Sequence, residues 1–198
     1  MASLISTFDF DVASAVFQPH PKTMETIGSY APDFELPGVD GQVHHLARYL
    51  EQFRAVGVVV MCNHCPYVKL YLDRLTQIQA DFQGQGFTLV GINPNDDQQF
   101  PEDSFEKMKS LAPGLNFPYL RDVTQDVARS FGAQKTPETF LISPEGIICY
   151  QGGVDDNPQN AAAVKQHYFR NAIAQLLSGQ TIQQPSSAAI GCSVKWRV

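Results

Sequence analysis

Residues 56–61 form an unbroken apolar run dominated by valine, the pattern of a strand buried on both faces. Tyr67, Leu70, Tyr71, Leu75, Ile78 and Phe82 then recur at steps of three and four, which predicts an amphipathic helix. Gly84 and Gly86 end it. Residues 87–92 make a second buried strand, stopped by Asn93 and Pro94. Strand, helix and strand in that order imply a right-handed crossover and a parallel pair.

The flanks extend the plan. Asp40-Gly41 between Val39 and Val43 predicts a hairpin, and Leu46–Gln52 a short helix. Residues 104–111 and 125–131 read as helices, the first with Glu102 and Asp103 favourably placed near its start. Residues 117–120 read as a short extended piece. Residues 138–143 and 146–151 are two strands joined by a turn at Pro144 to Gly146, and 161–177 is the last long helix. The expected fold is α/β: a central mixed sheet flanked by helices, with an N-terminal hairpin extension and a C-terminal tail. Residues 1–26 are assigned to an extension, 27–179 to one domain with 93–124 as an insertion, and 180–198 to the tail. In the tail Ile190, Val194, Trp196 and Val198 can lay one apolar face on the domain.

Composition narrows the class. The chain has 198 residues, 43% of them hydrophobic, enough for one globular core. Twenty acidic residues against 14 Lys and Arg give a net charge of -6, with no basic footprint for nucleic acid. No apolar stretch is long enough to span a membrane. No Lys or Arg precedes Lys22, and Asp9 and Asp11 interrupt the early apolar residues, unlike a secretory signal. The expectation is therefore a reducing cytoplasm, where paired cysteines act as catalysts or metal ligands rather than staples.

Cys62-Asn63-His64-Cys65-Pro66 stands where the first apolar run meets the helix. A Cys-x-x-Cys pair at a strand-to-helix junction reads as a redox motif. Its sulfurs can close a small ring, and the helix N-terminus favours a thiolate. On this reading Cys62 attacks, Cys65 resolves, and His64 stabilises the Cys62 thiolate. Pro66 suits the first helical turn, and Asn63 has no assigned role. Residues 56–61 offer no acidic side chain to act as a proton acceptor. A structural zinc site needs four ligands, and no second Cys-x-x-Cys exists. His44-His45 do not complete one, so no metal is expected, and copper or zinc handling by the same cysteines is the rival reading. Cys149 reads as a small buried hydrophobe, Asp155-Asp156 as a solvated turn, and Cys192 as either a packed tail residue or a third redox thiol.

Several motifs carry a resemblance. Gly28-Ser29-Tyr30-Ala31-Pro32-Asp33-Phe34 resembles the opening of peroxiredoxin-related chains. With Cys62-Asn63-His64-Cys65, Asn116-Phe117-Pro118-Tyr119-Leu120, Lys135-Thr136-Pro137-Glu138, Gly152-Gly153-Val154-Asp155-Asp156 and Gly191-Cys192-Ser193-Val194-Lys195-Trp196, it resembles the peroxiredoxin-like, thioredoxin-fold family related to AhpC/TSA. The resemblance covers roughly residues 27–197. It implies a thioredoxin-like fold, no organic cofactor, disulfide substrates of protein or small-molecule kind, and a dithiol protein as electron donor. A peroxiredoxin sets its cysteine in Pro-x-x-x-Thr/Ser-x-x-Cys. Counting back from Cys62 meets Ala55 and Val59, and from Cys65 meets Val58 and Cys62. The arginine such enzymes carry falls on Pro137. Thioredoxins instead place a cis-proline there, and Thr136-Pro137 fits as the substrate-facing turn. The resemblance thus implies a thiol–disulfide oxidoreductase, with an atypical antioxidant peroxidase as the alternative.

Overall fold

Strand β3 (Ala55–Val60) is buried at every residue because it lies in the middle of the sheet. The computed structural model describes residues 26–197. The sheet runs β5-β4-β3-β7-β8, with β4 (Phe87–Asn93), β5 (Tyr119–Arg121), β7 (Glu138–Ile142) and β8 (Ile148–Gly152). β3 pairs parallel with β4 and antiparallel with β7, so the sheet is mixed. Val56, Val58 and Val60 join one core layer, while Ala55 and Val59 join the other. Gly57 sits between the latter two, where a Cβ would lie 2.8 Å from Phe87 and 2.9 Å from Leu89 and Phe169. The missing side chain lets α5 (Tyr168–Leu177), which carries Phe169, approach the strand.

Helix α2 (Pro66–Phe82) buries Val68, Tyr71, Leu75, Ile78 and Phe82. The buried stripe therefore starts at Val68 rather than Tyr67, and Leu70, expected on it, is exposed. Gln79, also buried, accepts the Leu89 N–H at 2.6 Å and ties α2 to β4. β1 (Glu35–Pro37) and β2 (Val43–His45) form the predicted hairpin, and α1 (Leu46–Gln52) follows.

Three expectations need correction. Residues 93–124 are more than an insertion, because β5 pairs parallel with β4 as the sheet edge. α3 (Phe105–Leu111) and α4 (Asp126–Ser130) lie on either side of it in sequence. The last helix does not start at Ala161. One 3-10 turn covers Ala161–Ala163, and α5 begins at Tyr168. The intervening backbone is diverted: Lys165 N–H donates to Asp156 Oδ1, and Gln166 O accepts from Asp156 N–H. Asp155 is not in a solvated turn. It is buried, accepts the Tyr71 hydroxyl at 3.0 Å and pairs with Arg74 at 2.6 Å.

The tail lies over the domain. Gln151 N–H donates to Pro185 O along the β8 edge, and β9 (Cys192–Ser193) pairs antiparallel with β6 (Lys135–Thr136). Val194 is buried with the Val56 layer, and Arg129 stacks over Trp196 at 4.3 Å. Ile190 is exposed, so the apolar face is narrower than the alternation implied. Residues 1–25 and Val198 lie outside the described residues.

Candidate active site

Cys65 is the N-cap of α2 and Pro66 its first residue, so the Cys-x-x-Cys loop sits on the positive end of a 17-residue helix. Both cysteines are free and fully buried. Thr136-Pro137 is a cis peptide, at the junction of β6 and β7, and it faces the pair. Cys62 Sγ lies 3.6 Å from Thr136 Oγ1, and Cys65 Sγ lies 3.1 Å from Thr136 O. The third sulfur is also present: Cys192 Sγ is 2.8 Å from Cys65 Sγ. Cys192 is half-buried, whereas the pair beneath it has no exposure. The structure thus brings Cys62, Cys65, His64, Thr136, Pro137 and Cys192 into one site.

Asp103 is what sequence reasoning missed. In the sequence, Glu102-Asp103 signals only a favourable helix start. In the structure the Asp103 carboxylate is fully buried against the Cys-x-x-Cys loop. Oδ1 accepts the N–H groups of Asn63 at 2.7 Å and His64 at 3.2 Å. Oδ2 meets His64 Nδ1 at 2.5 Å and accepts from Asn95 Nδ2 at 2.8 Å. The expected lack of an acid therefore holds only for the strand; the acid comes from the segment before α3. Asn63 also has a part: it donates to Glu102 O at 2.8 Å and accepts the Tyr119 hydroxyl at 2.9 Å. Glu102, Asp103 and Tyr119 thereby hold the loop from outside the helix. No local spacing signals this, because the partners are 39 positions apart or more in the chain.

These partners change the expected electrostatics. Any charge on His64 is answered at once by Asp103, and its ring stacks on Phe100 at 5.2 Å. The Cys62 thiol is pushed up by its hydrogen bond to Cys65, then by burial and by the Asp103 carboxylate. Cys65 is pulled down, first by the hydrogen bond from Cys62, with the Cys192 thiol and the Val68 and Cys192 amides adding to it against burial. Two buried sulfurs sharing a hydrogen bond titrate as a pair. With the tail docked, the lowered thiol is Cys65 and the raised one Cys62, which corrects the expected low-pKa thiol. Burial and the neighbouring Cys65 sulfur raise Cys192 to about 11.

The other features have separate environments. Cys149 is half-buried, and burial raises its thiol. His44 contacts Tyr49 and Asp40, and His45 pairs with Glu35. Cys62, His64 and Asp103 offer three metal-ligand atoms within 4.8 Å of one another. A metal there would have to displace the His64–Asp103 hydrogen bond and compete with two backbone N–H groups for the carboxylate.

A parallel β3–β4 crossover, an antiparallel β7–β8 hairpin, a Cys-x-x-Cys at a helix start and a facing cis-proline define a thioredoxin-like oxidoreductase fold. Residues 27–151 match the AhpC/TSA family model, and the chain belongs to that family. It is 34% identical over 146 residues to the thiol:disulfide interchange protein DsbE of Escherichia coli, covering 70% of this chain and 72% of that protein. It is 31% identical over 132 residues to the thiol-disulfide oxidoreductase ResA of Geobacillus thermodenitrificans, covering 64% and 69%. Among solved structures, an uncharacterized conserved protein from Geobacillus kaustophilus superposes with a TM-score of 0.82 at 37% identity, covering 88% of this chain and 94% of that one.

Proposed function

We propose that this chain is a thiol–disulfide oxidoreductase whose working couple is Cys62 and Cys65. The observation that carries this is the pair itself: two free cysteines at the N-terminus of α2, both against Thr136. Relatives named for disulfide chemistry support the class. In the reducing direction, one sulfur attacks a substrate disulfide and the other displaces the substrate from the mixed disulfide. The two electrons return from a dithiol protein.

Cys62 is assigned the attack and Cys65 the resolution. The docked tail puts Cys192 Sγ in hydrogen-bond contact with Cys65 Sγ. When the tail leaves, Cys65 loses one of the contacts that lower its thiol, and both sulfurs open to substrate. His64 and Asp103 hold the loop and set the field around Cys62. Thr136 offers backbone groups to an extended substrate. We place this chemistry in a reducing cytoplasm; thiol trapping in cells that finds the pair wholly oxidised would move it elsewhere.

The test is disulfide reduction by the purified chain with Cys62→Ser and Cys65→Ser as controls. Loss of turnover in both variants is expected. With Cys65→Ser, a mixed disulfide with substrate should accumulate on Cys62. Undiminished turnover in either variant would overturn the assignment.

A further inference from the structure

Cys192 has no part in a two-cysteine mechanism, yet the fold holds it against the pair. Register places it opposite Thr136, on the edge that a substrate strand would use. The approach is close enough to need a glycine beside it: a Cβ on Gly191 would fall 2.3 Å from Thr136 O. The following residues fasten the strand. Val194 N–H donates to Gln134 O at 3.1 Å, and Lys195 O accepts from Asp96 N–H at 2.9 Å. Lys195 N–H donates to Asn95 Oδ1 at 2.9 Å, and the same Asn95 side chain donates to Asp103. Arg197 N–H donates to Gln125 Oε1 at 2.7 Å. The tail therefore occupies the substrate edge and presents its own sulfur to Cys65.

We propose that Cys192 is a third catalytic thiol that relays the disulfide from the buried pair to the surface. The inference rests on the Cys62–Cys65 couple proposed above. The access problem motivates it. Once the pair is oxidised and the tail docked, an electron donor has no route to either buried sulfur. Cys192 Sγ attacks Cys65 Sγ; the Cys65–Cys192 bond forms and the Cys62–Cys65 bond breaks. Cys62 leaves as thiolate and takes up the proton that Cys192 gives up. This step is an isomerisation with no net electron transfer. A dithiol donor then attacks half-exposed Cys192, displaces Cys65 as thiolate, and closes its own disulfide on resolving the mixed disulfide. The donor gives up two electrons and two protons; Cys192 takes one proton, and the other goes to Cys65 or, where Cys65 stays ionised, to solvent. The two sulfurs lie 2.8 Å apart, close to the ~2.05 Å of a formed S–S bond.

The experiment treats the full chain and three variants with one equivalent of diamide, alkylates, digests and maps disulfides by mass. Cys62→Ser should give the Cys65–Cys192 peptide as its main product. The unsubstituted chain should give both Cys62–Cys65 and Cys65–Cys192. Gly191→Ala, which keeps all three sulfurs but lifts β9, should give Cys62–Cys65 alone. Reduction of the oxidised chain by dithiothreitol should slow at least tenfold in Cys192→Ser, where the tail covers a disulfide it cannot accept. A fully alkylated Cys192 in oxidised Cys62→Ser, or an unchanged reduction rate in Cys192→Ser, overturns the relay. Oxidised Cys192→Ser separates the two claims. If it forms Cys62–Cys65 while Cys62→Ser forms no bridge, the relay fails alone. If it forms no Cys62–Cys65 bridge, the redox couple fails too.

Discussion

Asp103 acts on the Cys62 sulfur, and His64 acts on Asp103. The carboxylate raises Cys62, and His64 is the group that answers the carboxylate. Asp103→Asn removes the negative charge, favours the reduced thiolate form, and should raise the reduction potential by about 10–30 mV. His64→Ala strips the carboxylate of its partner and should lower the potential by a similar amount. Potentials moving in the same direction in both variants would mean that the two groups do not oppose each other. The pair's coupled titration gives a second test. Reduction at neutral pH takes up two electrons and one proton when Cys65 is ionised and Cys62 is not. The potential should then fall by about 30 mV per pH unit, and by about twice that if both thiols are protonated. A slope near 60 mV across pH 6–8 would contradict the assigned charges. At this scale Cys62, His64, Cys65 and Thr136-Pro137 were legible in the sequence, because a motif or a turn names each one. Asp103, Asn95 and Gly191 were not, since their roles exist only through partners distant in sequence.

Elements were most legible where one periodicity governs the segment. β3, β4 and α2 follow from burial on both faces or on one stripe; in α2 the expected Tyr71, Leu75, Ile78 and Phe82 are buried, while Val68 joins them and Leu70 does not. The last helix starts later than its apolar spacing implies because Asp156 takes the backbone of residues 165–166, an exchange that spacing does not record. The adjoining turn rests on Asp155, whose carboxylate joins α2 through Arg74 and Tyr71. Breaking a buried ion pair leaves an uncompensated charge and costs about 3–5 kcal/mol. Asp155→Ala should therefore lower stability by about 3 kcal/mol, or roughly 6–12 °C in Tm for a chain of this size. Disulfide exchange at Cys62 and Cys65 should persist below the transition. A thermal melt and an activity assay on the same sample check both halves. A Tm within about 2 °C of the parent chain would show that the turn is held by something else.

On the scale of the molecule, the sheet places the redox couple on the end of β3 and the tail covers it. Topology was readable from the order of strands and helices. The covering was only partly readable, because sequence gives order and the Thr136–Cys192 pairing is a matter of distance. The same enclosure bears on peroxide. The groups acting on Cys62 are Cys65, Asp103 and Thr136, with no arginine among them to polarise a peroxide. Hydrogen peroxide consumption should stay below about 10⁴ M⁻¹s⁻¹, the lower range of efficient enzymes. A stopped-flow rate at or above that value would favour the peroxidase reading of this family.

The account stands on Cys62 and Cys65 forming a reversible disulfide couple. A redox titration of the full chain in thiol–disulfide buffers, with quantitative alkylation and mass mapping at each poise, measures this directly. The account predicts one two-electron transition in which two labels per chain disappear from the peptides of Cys62, Cys65 and Cys192, while Cys149 keeps its label throughout. Retention of labels on both Cys62 and Cys65 at every poise would contradict it.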